Sequence, residues 1–162
     1  MQTTLSSDRL LLEPITAKDS HFIFELVNTE RWLKYIGNRN VTTPEEANTY
    51  IEEKLNSSSV SSWIVKLKCN LDSIGIITFI KRDYLLHYDI GFAFLPRAAN
   101  NGYAYEAAKA VLLMLTNDPG HSHILATTLP ENINSIKLLI KLGFHYDREI
   151  EVDGEKLHIY SS

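Results

Sequence analysis

The segment from His87 to Lys109, HYDIGFAFLPRAANNGYAYEAAK, constrains the fold more than any other because its apolar period changes half-way along. Tyr88, Ile90, Phe92 and Phe94 alternate with Asp89, Gly91 and Ala93, which predicts a strand over 88–95. Pro96 removes a ladder donor and closes the strand. Asn100, Asn101 and Gly102 are residue types that tolerate positive φ, so a tight turn is expected there. From Tyr103 the spacing becomes helical, with Ala104, Ala107, Ala108, Val111, Leu112 and Leu115 on one face. A strand that enters a helix through such a turn aims unpaired backbone N–H groups at the helix N-terminus, an arrangement suited to a phosphate or pyrophosphate. Ordinary strand–helix turns also carry Asn and Gly, so this segment alone fits a plain turn equally well.

The rest of the chain supplies a frame around that segment. A short strand is expected over 9–15, closed by Pro14, and Thr16 with Asp19 resembles a capping box before the stripe Phe22, Ile23, Leu26 and Val27. Trp32, Leu33, Tyr35 and Ile36 continue the apolar pattern as far as Gly37. Thr43, Pro44 and Glu46 mark the start of a second helix, expected to turn Ala47, Tyr50, Ile51 and Leu55 inward. Strands over 62–68, 73–82 and 88–95 are joined by short polar turns and therefore form an antiparallel meander. After the helix that follows Gly102, a strand over 124–128 is parallel to its neighbour because a helix intervenes. A helix over 132–142 with Gly143 as its left-handed cap comes next, then a hairpin of 145–152 and 155–160 around Asp153-Gly154. The fold class expected is mixed α/β: one mostly antiparallel sheet with a parallel pair and helices on both faces, forming a single domain over 1–162.

Composition narrows the function classes. With 20 acidic against 16 basic residues and a net charge of −4, nothing favours nucleic acid or an anionic membrane as partner. No apolar run is long enough to span a bilayer, and one cysteine, Cys69, cannot form an internal disulfide, so a cytoplasmic location is expected. His121 and His123 lie two apart without acidic or cysteine ligands at a metal-site spacing, so a solvated loop is expected there and no metal.

A second segment, LPENINSIKLLIKLGF over 129–144, joins the first in a recognisable order. Together they resemble the acetyl-CoA-binding core of the GNAT N-acetyltransferase superfamily. Arg97 opens and Gly102 closes a loop similar to R/Q-x-x-G-x-G/A, while Asn132, Ser135, Leu142, Gly143 and Phe144 match a helix of the form N-x-x-S/A ending in L-G-F. The opening SDRLLLEPITAKD resembles the start of the branch that contains the ribosomal-protein N-terminal (alanine/serine) acetyltransferases. Asn100 departs from the glycine usual at its position.

The resemblance implies acetyl-CoA as cofactor, coenzyme A as product and direct acetyl transfer to an amine acceptor, a protein N-terminus or a small molecule. Backbone groups around Phe92, Phe94 and Leu95 would meet the pantetheine arm. The loop Arg97, Asn100, Asn101, Gly102, Tyr103 and Ala104 would hold the pyrophosphate, and Asn132 would lie near the thiol end. Asn132 also suits an ordinary N-cap. Many members carry a tyrosine acid seven residues after that asparagine; here the position is Leu139. Ser135 is then the candidate acid by analogy with the N-terminal acetyltransferases, and a plain first-turn serine otherwise. Asp89 and Glu106 are the candidate bases, Glu106 also suiting the positive end of its helix. An α-amine of pKa about 7.7–8.0 is neutral far more often at pH 7 than a lysine at about 10.4, so a site without a strong base favours α-amines or weakly basic small amines. Trp32, Tyr35 and Trp63 are read as core before acceptor pocket. A non-catalytic acyl-CoA sensor with the same fold is the alternative, and the sequence leaves monomer and homodimer both open.

Overall fold

A computed structural model describes residues 2–162. Eight strands form one sheet in the order β1-β2-β3-β4-β5-β6-β8-β7: β1 Leu5–Ser6, β2 Leu10–Pro14, β3 Val60–Leu67, β4 Ser73–Ile80, β5 Asp89–Phe94, β6 Leu125–Thr128, β7 His145–Val152 and β8 Glu155–Ser161. Every neighbouring pair is antiparallel except β5 and β6. The helices are α1 Ser20–Val27, α2 Glu30–Tyr35, α3 Pro44–Leu55, α4 Tyr103–Thr116 and α5 Ile133–Lys141.

The strand period of two divides the sheet's side chains between two cores. One face, with Leu10, Leu12, Trp63, Val65, Ile77, Phe79, Ile90, Ala126 and Tyr160, packs on Ala107, Ala108 and Val111 of α4 and Leu139 of α5. The other, with Ile64, Ile76 and Leu95, packs on Ile23, Leu26 and Val27 of α1 and on Ala47 and Ile51 of α3. Helices therefore cover both faces, as the patterning predicts.

Three local details differ from expectation. The Thr16–Asp19 capping box is present, but it opens a 3-10 turn over Ala17–Asp19 that runs on into α1. The stripe that continues to Ile36 is interrupted, because Thr29 caps a separate α2 and the Asn28 amide donates to the Phe24 and Val41 carbonyls. Leu55 is 51% exposed rather than inward, since α3 has run past the edge of the core at its last turn. Trp63 and Trp32 are both buried in the core, and the Trp63 indole N–H donates to the Thr3 carbonyl. Asp153 (φ 51°) and Gly154 (φ 80°) are both left-handed, as a type I′ hairpin turn requires.

Candidate active site

The site is set by a fork in the sheet. β4 and β5 pair over their whole length, from Ile80↔Asp89 to Gly75↔Phe94, whereas β5 and β6 share a single register pair, Asp89↔Leu125. Beyond that pair the two parallel strands diverge. The Leu95 amide donates to the Ile74 carbonyl, so odd-numbered residues of β5 turn their backbone groups to β4. By the same alternation Phe92 and Phe94 turn their N–H and C=O into the open fork, while their side chains pack on the α4-side core. The Leu95 side chain is buried in the opposite core, its N–H is taken by the Ile74 carbonyl and its C=O accepts from the Ala98 amide, so neither of its backbone groups is free in the fork.

At the mouth of the fork the chain passes from a 3-10 turn over Pro96–Ala98 to α4. Asn100 (φ 63°) and Gly102 (φ 77°) are left-handed. Asn100 therefore adopts the backbone that a glycine would give, and asparagine is among the few other residues to do so readily. The Asn101 amide ties the turn to the Ala99 carbonyl at 2.9 Å. None of the backbone N–H groups from Asn100 to Tyr105 has an acceptor among the described residues. Successive free amides around left-handed residues at a helix N-terminus make a concave anion site. Tyr103 and Ala104 begin α4 half-buried behind it. Arg97 is turned away: its guanidinium pairs with Glu25 of α1 at 2.6 Å and reaches the Ser73 carbonyl.

Across the fork α5 begins at Asn132, whose Oδ1 accepts from the Ser135 amide at 3.3 Å. Ser135 is half-buried and its hydroxyl has no hydrogen-bond partner among the described residues. Leu139, at the position where a tyrosine acid would stand, is enclosed in the core.

The two carboxylates lie in unlike settings. Asp89 sits at the apex of the fork, 2% exposed, with Oδ2 accepting from Arg82 Nε at 3.0 Å and from the Thr127 hydroxyl at 2.9 Å. Its Oδ1 is buried with no partner among the described residues. Burial pushes the Asp89 carboxyl above the usual range, against the opposing pull of Arg82 and Thr127. Glu106 faces the other way, towards the N-terminal segment. Its Oε1 accepts from the Ser7 hydroxyl at 2.7 Å and the Arg9 amide at 2.8 Å, and its Oε2 from Arg9 Nε at 2.8 Å. Partial burial works to raise its pKa, but those hydrogen bonds outweigh it and hold the carboxyl below its ordinary value.

Arg9 is the residue that sequence reasoning passed over. Its guanidinium lies over the Tyr103 ring at 4.5 Å, and its Nη2 is the nearest atom to the space a side chain on Gly102 would enter, at 3.5 Å. The signal available was the arginine of the opening SDRL run, although nothing local in the sequence joins it to Glu106 97 positions later. His121 packs on Phe79 and Tyr88, and His123 on His87. No cluster of three metal-ligating side chains exists among the described residues.

The family model described as an acetyltransferase (GNAT) domain matches residues 9–145. The chain belongs to the GNAT acetyltransferase family. Among its relatives, the uncharacterized N-acetyltransferase YnaD of Bacillus subtilis strain 168 is 32% identical over 139 residues, covering 86% of this chain and 81% of that protein. An acetyltransferase of the GNAT family from Bacillus anthracis superposes with a TM-score of 0.82 at 27% identity, over 99% of this chain and 98% of that one. RimL, a ribosomal L7/L12 alpha-N-protein acetyltransferase solved in complex with coenzyme A, superposes with a TM-score of 0.84 at 13% identity, over 99% of this chain and 97% of that one, and so shares the fold. The GNAT fold expected from the two linked segments is thus present, with its parallel pair at the fork. No helix among the described residues is long and apolar enough to cross a membrane.

Proposed function

We propose that this GNAT protein is an acetyl-CoA-dependent N-acetyltransferase that passes an acetyl group to a primary amine, with α-amines the preferred class. The observation that carries the reading is the fork between β5 and β6 opening onto a run of backbone amides, Asn100 to Tyr105, that lack acceptors. Those residues fit the group: an extended amide-bearing arm can pair with the free edge of Phe92 and Phe94, and a pyrophosphate can take the donors at Gly102. Acetyl-CoA bound there supplies an activated acetyl thioester.

The chain's own residues divide the work as follows. The loop Asn100–Ala104 binds the phosphates through its backbone, and Arg97 shapes the loop through Glu25 instead of lending its charge to the phosphates. Asn132 orders the first turn of α5 and so positions Ser135, whose free hydroxyl is the proton donor available beside the fork. Asp89, with one oxygen unengaged and its pKa raised by burial, is the group that can take a proton from an incoming amine. Glu106 serves as a clamp on the N-terminal segment and takes no part in proton transfer. The likeness of the opening SDRL run to the N-terminal acetyltransferases supports an α-amine acceptor, on a protein N-terminus or a small molecule.

Gly102→Arg tests the reading. At φ 77° any L side chain is strained, and a long one would fill the cradle beside Arg9. Wild-type protein at about 100 times Kd of acetyl-CoA should gain about 2.7 kcal/mol, a rise in Tm of roughly 5–11 °C, whereas ATP should give none. Without cofactor the variant should melt a few degrees below wild type, through the strain at φ 77°, while still unfolding cooperatively, and it should lose the shift. A variant that still binds acetyl-CoA normally would misplace the phosphate site. Wild-type protein that binds but shows no thioester turnover with any amine would instead be a non-catalytic acyl-CoA sensor.

A further inference from the structure

We infer that Arg9, which lies outside the 97–104 loop, is a cofactor-binding residue that closes the pyrophosphate site from the β1–β2 side. The inference rests on the acetyl-CoA reading above. Two contacts fix the side chain and a third holds its backbone. Its Nε is held by Glu106 Oε2, its plane lies over the Tyr103 ring, and its own backbone N–H is taken by the same carboxylate at Oε1. The backbone at Arg9, one residue ahead of β2, is also held by the Lys68 amide, which donates to the Arg9 carbonyl at 2.9 Å.

What this leaves free is decisive. Glu106 engages the guanidinium through Nε alone, so neither terminal nitrogen has an acceptor among the described residues. Nη2 stands 3.5 Å from the Cβ position of Gly102, beside the amides that also lack acceptors. A guanidinium offers planar paired donors that match phosphate oxygens, and its cost of ordering is already met by the clamp. The ligand chemistry assigned to it is therefore the pyrophosphate diester and not the adenosine 3′-phosphate, because the free nitrogen adjoins the loop amides themselves.

Arg9→Gln, read by calorimetric titration, separates the outcomes. Acetyl-CoA and its 3′-dephospho form should both bind about tenfold or more weakly than to wild type, while S-acetylpantetheine, which has no phosphate, should bind as before. Equal loss with all three ligands would mean damage to the fold and would overturn the assignment. So would unchanged affinity for acetyl-CoA, or a loss confined to the ligand that carries the 3′-phosphate. Wild-type protein that binds none of the three would remove the acetyl-CoA reading itself. Arg9→Lys keeps the charge opposite Glu106 without the second donor, so it should show the same ligand pattern with a smaller loss even if Arg9→Gln folds poorly.

Discussion

Glu106→Ala would release the N-terminal segment from α4, and the size of the effect can be worked from its three hydrogen bonds. A hydrogen bond to a charged group is worth about 1.5–3 kcal/mol when one partner is removed. The Arg9 arm belongs at the bottom of the exposed ion-pair range of about 0–1 kcal/mol, since that side chain is half in water. Water can also reach the Arg9 amide once the carboxylate is gone. The Ser7 contact, part-buried at 2.7 Å, keeps more of its worth. A net loss of about 2–3 kcal/mol follows, or roughly 4–12 °C in Tm for a chain of this length. The pH dependence has a definite sign. The folded carboxyl is held below its unfolded value of about 4.3, so its contribution is complete above that pH and is lost as pH falls through the lower folded value. Melts of wild type and variant followed by circular dichroism should therefore differ fully at pH 6–7 and converge in acid. A gap that stays constant down to pH 3, or one under about 0.5 kcal/mol at pH 7, would refute the clamp. Glu106→Gln adds a kinetic arm: it should retain acetyl transfer, which a catalytic base could not.

Two further substitutions probe the fork. A Cβ on Gly75 would come within 2.7 Å of Phe94 Cγ, so Gly75→Ala must displace that ring at the end of β5. It should cost about 1–3 kcal/mol in urea titrations and weaken acetyl-CoA binding as well. Asp89→Asn should lower kcat far more than it raises the KM for acetyl-CoA and should remove the acid limb of the pH–rate profile. Because burial raises the carboxyl's folded pKa, that group favours the fold below its unfolded value of about 3.9 and loses this contribution as pH rises through the folded value, so the amide variant should melt less differently at pH 4 than at pH 7.

What could be read from the sequence was local. The change of period at Pro96, the caps at Thr16, Thr43 and Asn132, and the Asp153-Gly154 turn each depend on residues within four positions of one another, and all appear in the structure. Contacts between distant segments were out of reach. Arg97 was a natural phosphate ligand by position in its loop, yet Glu25, 72 residues earlier, takes its charge. Glu106 looked like a first-turn carboxylate suited to its helix, and only the fold shows Ser7 and Arg9 arriving on it. Asp89 lay on a strand whose alternation did not say which side would be solvated; Arg82 and Thr127 make its burial tolerable. β1, two residues long, carries too little pattern to be seen at all.

The single register pair between β5 and β6 has a consequence for how the molecule holds together. The sheet is continuous in topology but nearly severed in backbone hydrogen bonding at that point, leaving β1–β5 and β6–β8 as two blocks. What joins them is the Thr127–Asp89 hydrogen bond and side-chain contact beneath the fork, where Ile90, Val111, Ala126, Phe144 and Tyr160 share one core. Apolar contact of that kind weakens on cooling and in urea. The cleft proposed to admit acetyl-CoA is therefore also the seam where the sheet has its fewest register pairs, and a molecule lying between the two blocks would act as their missing strand.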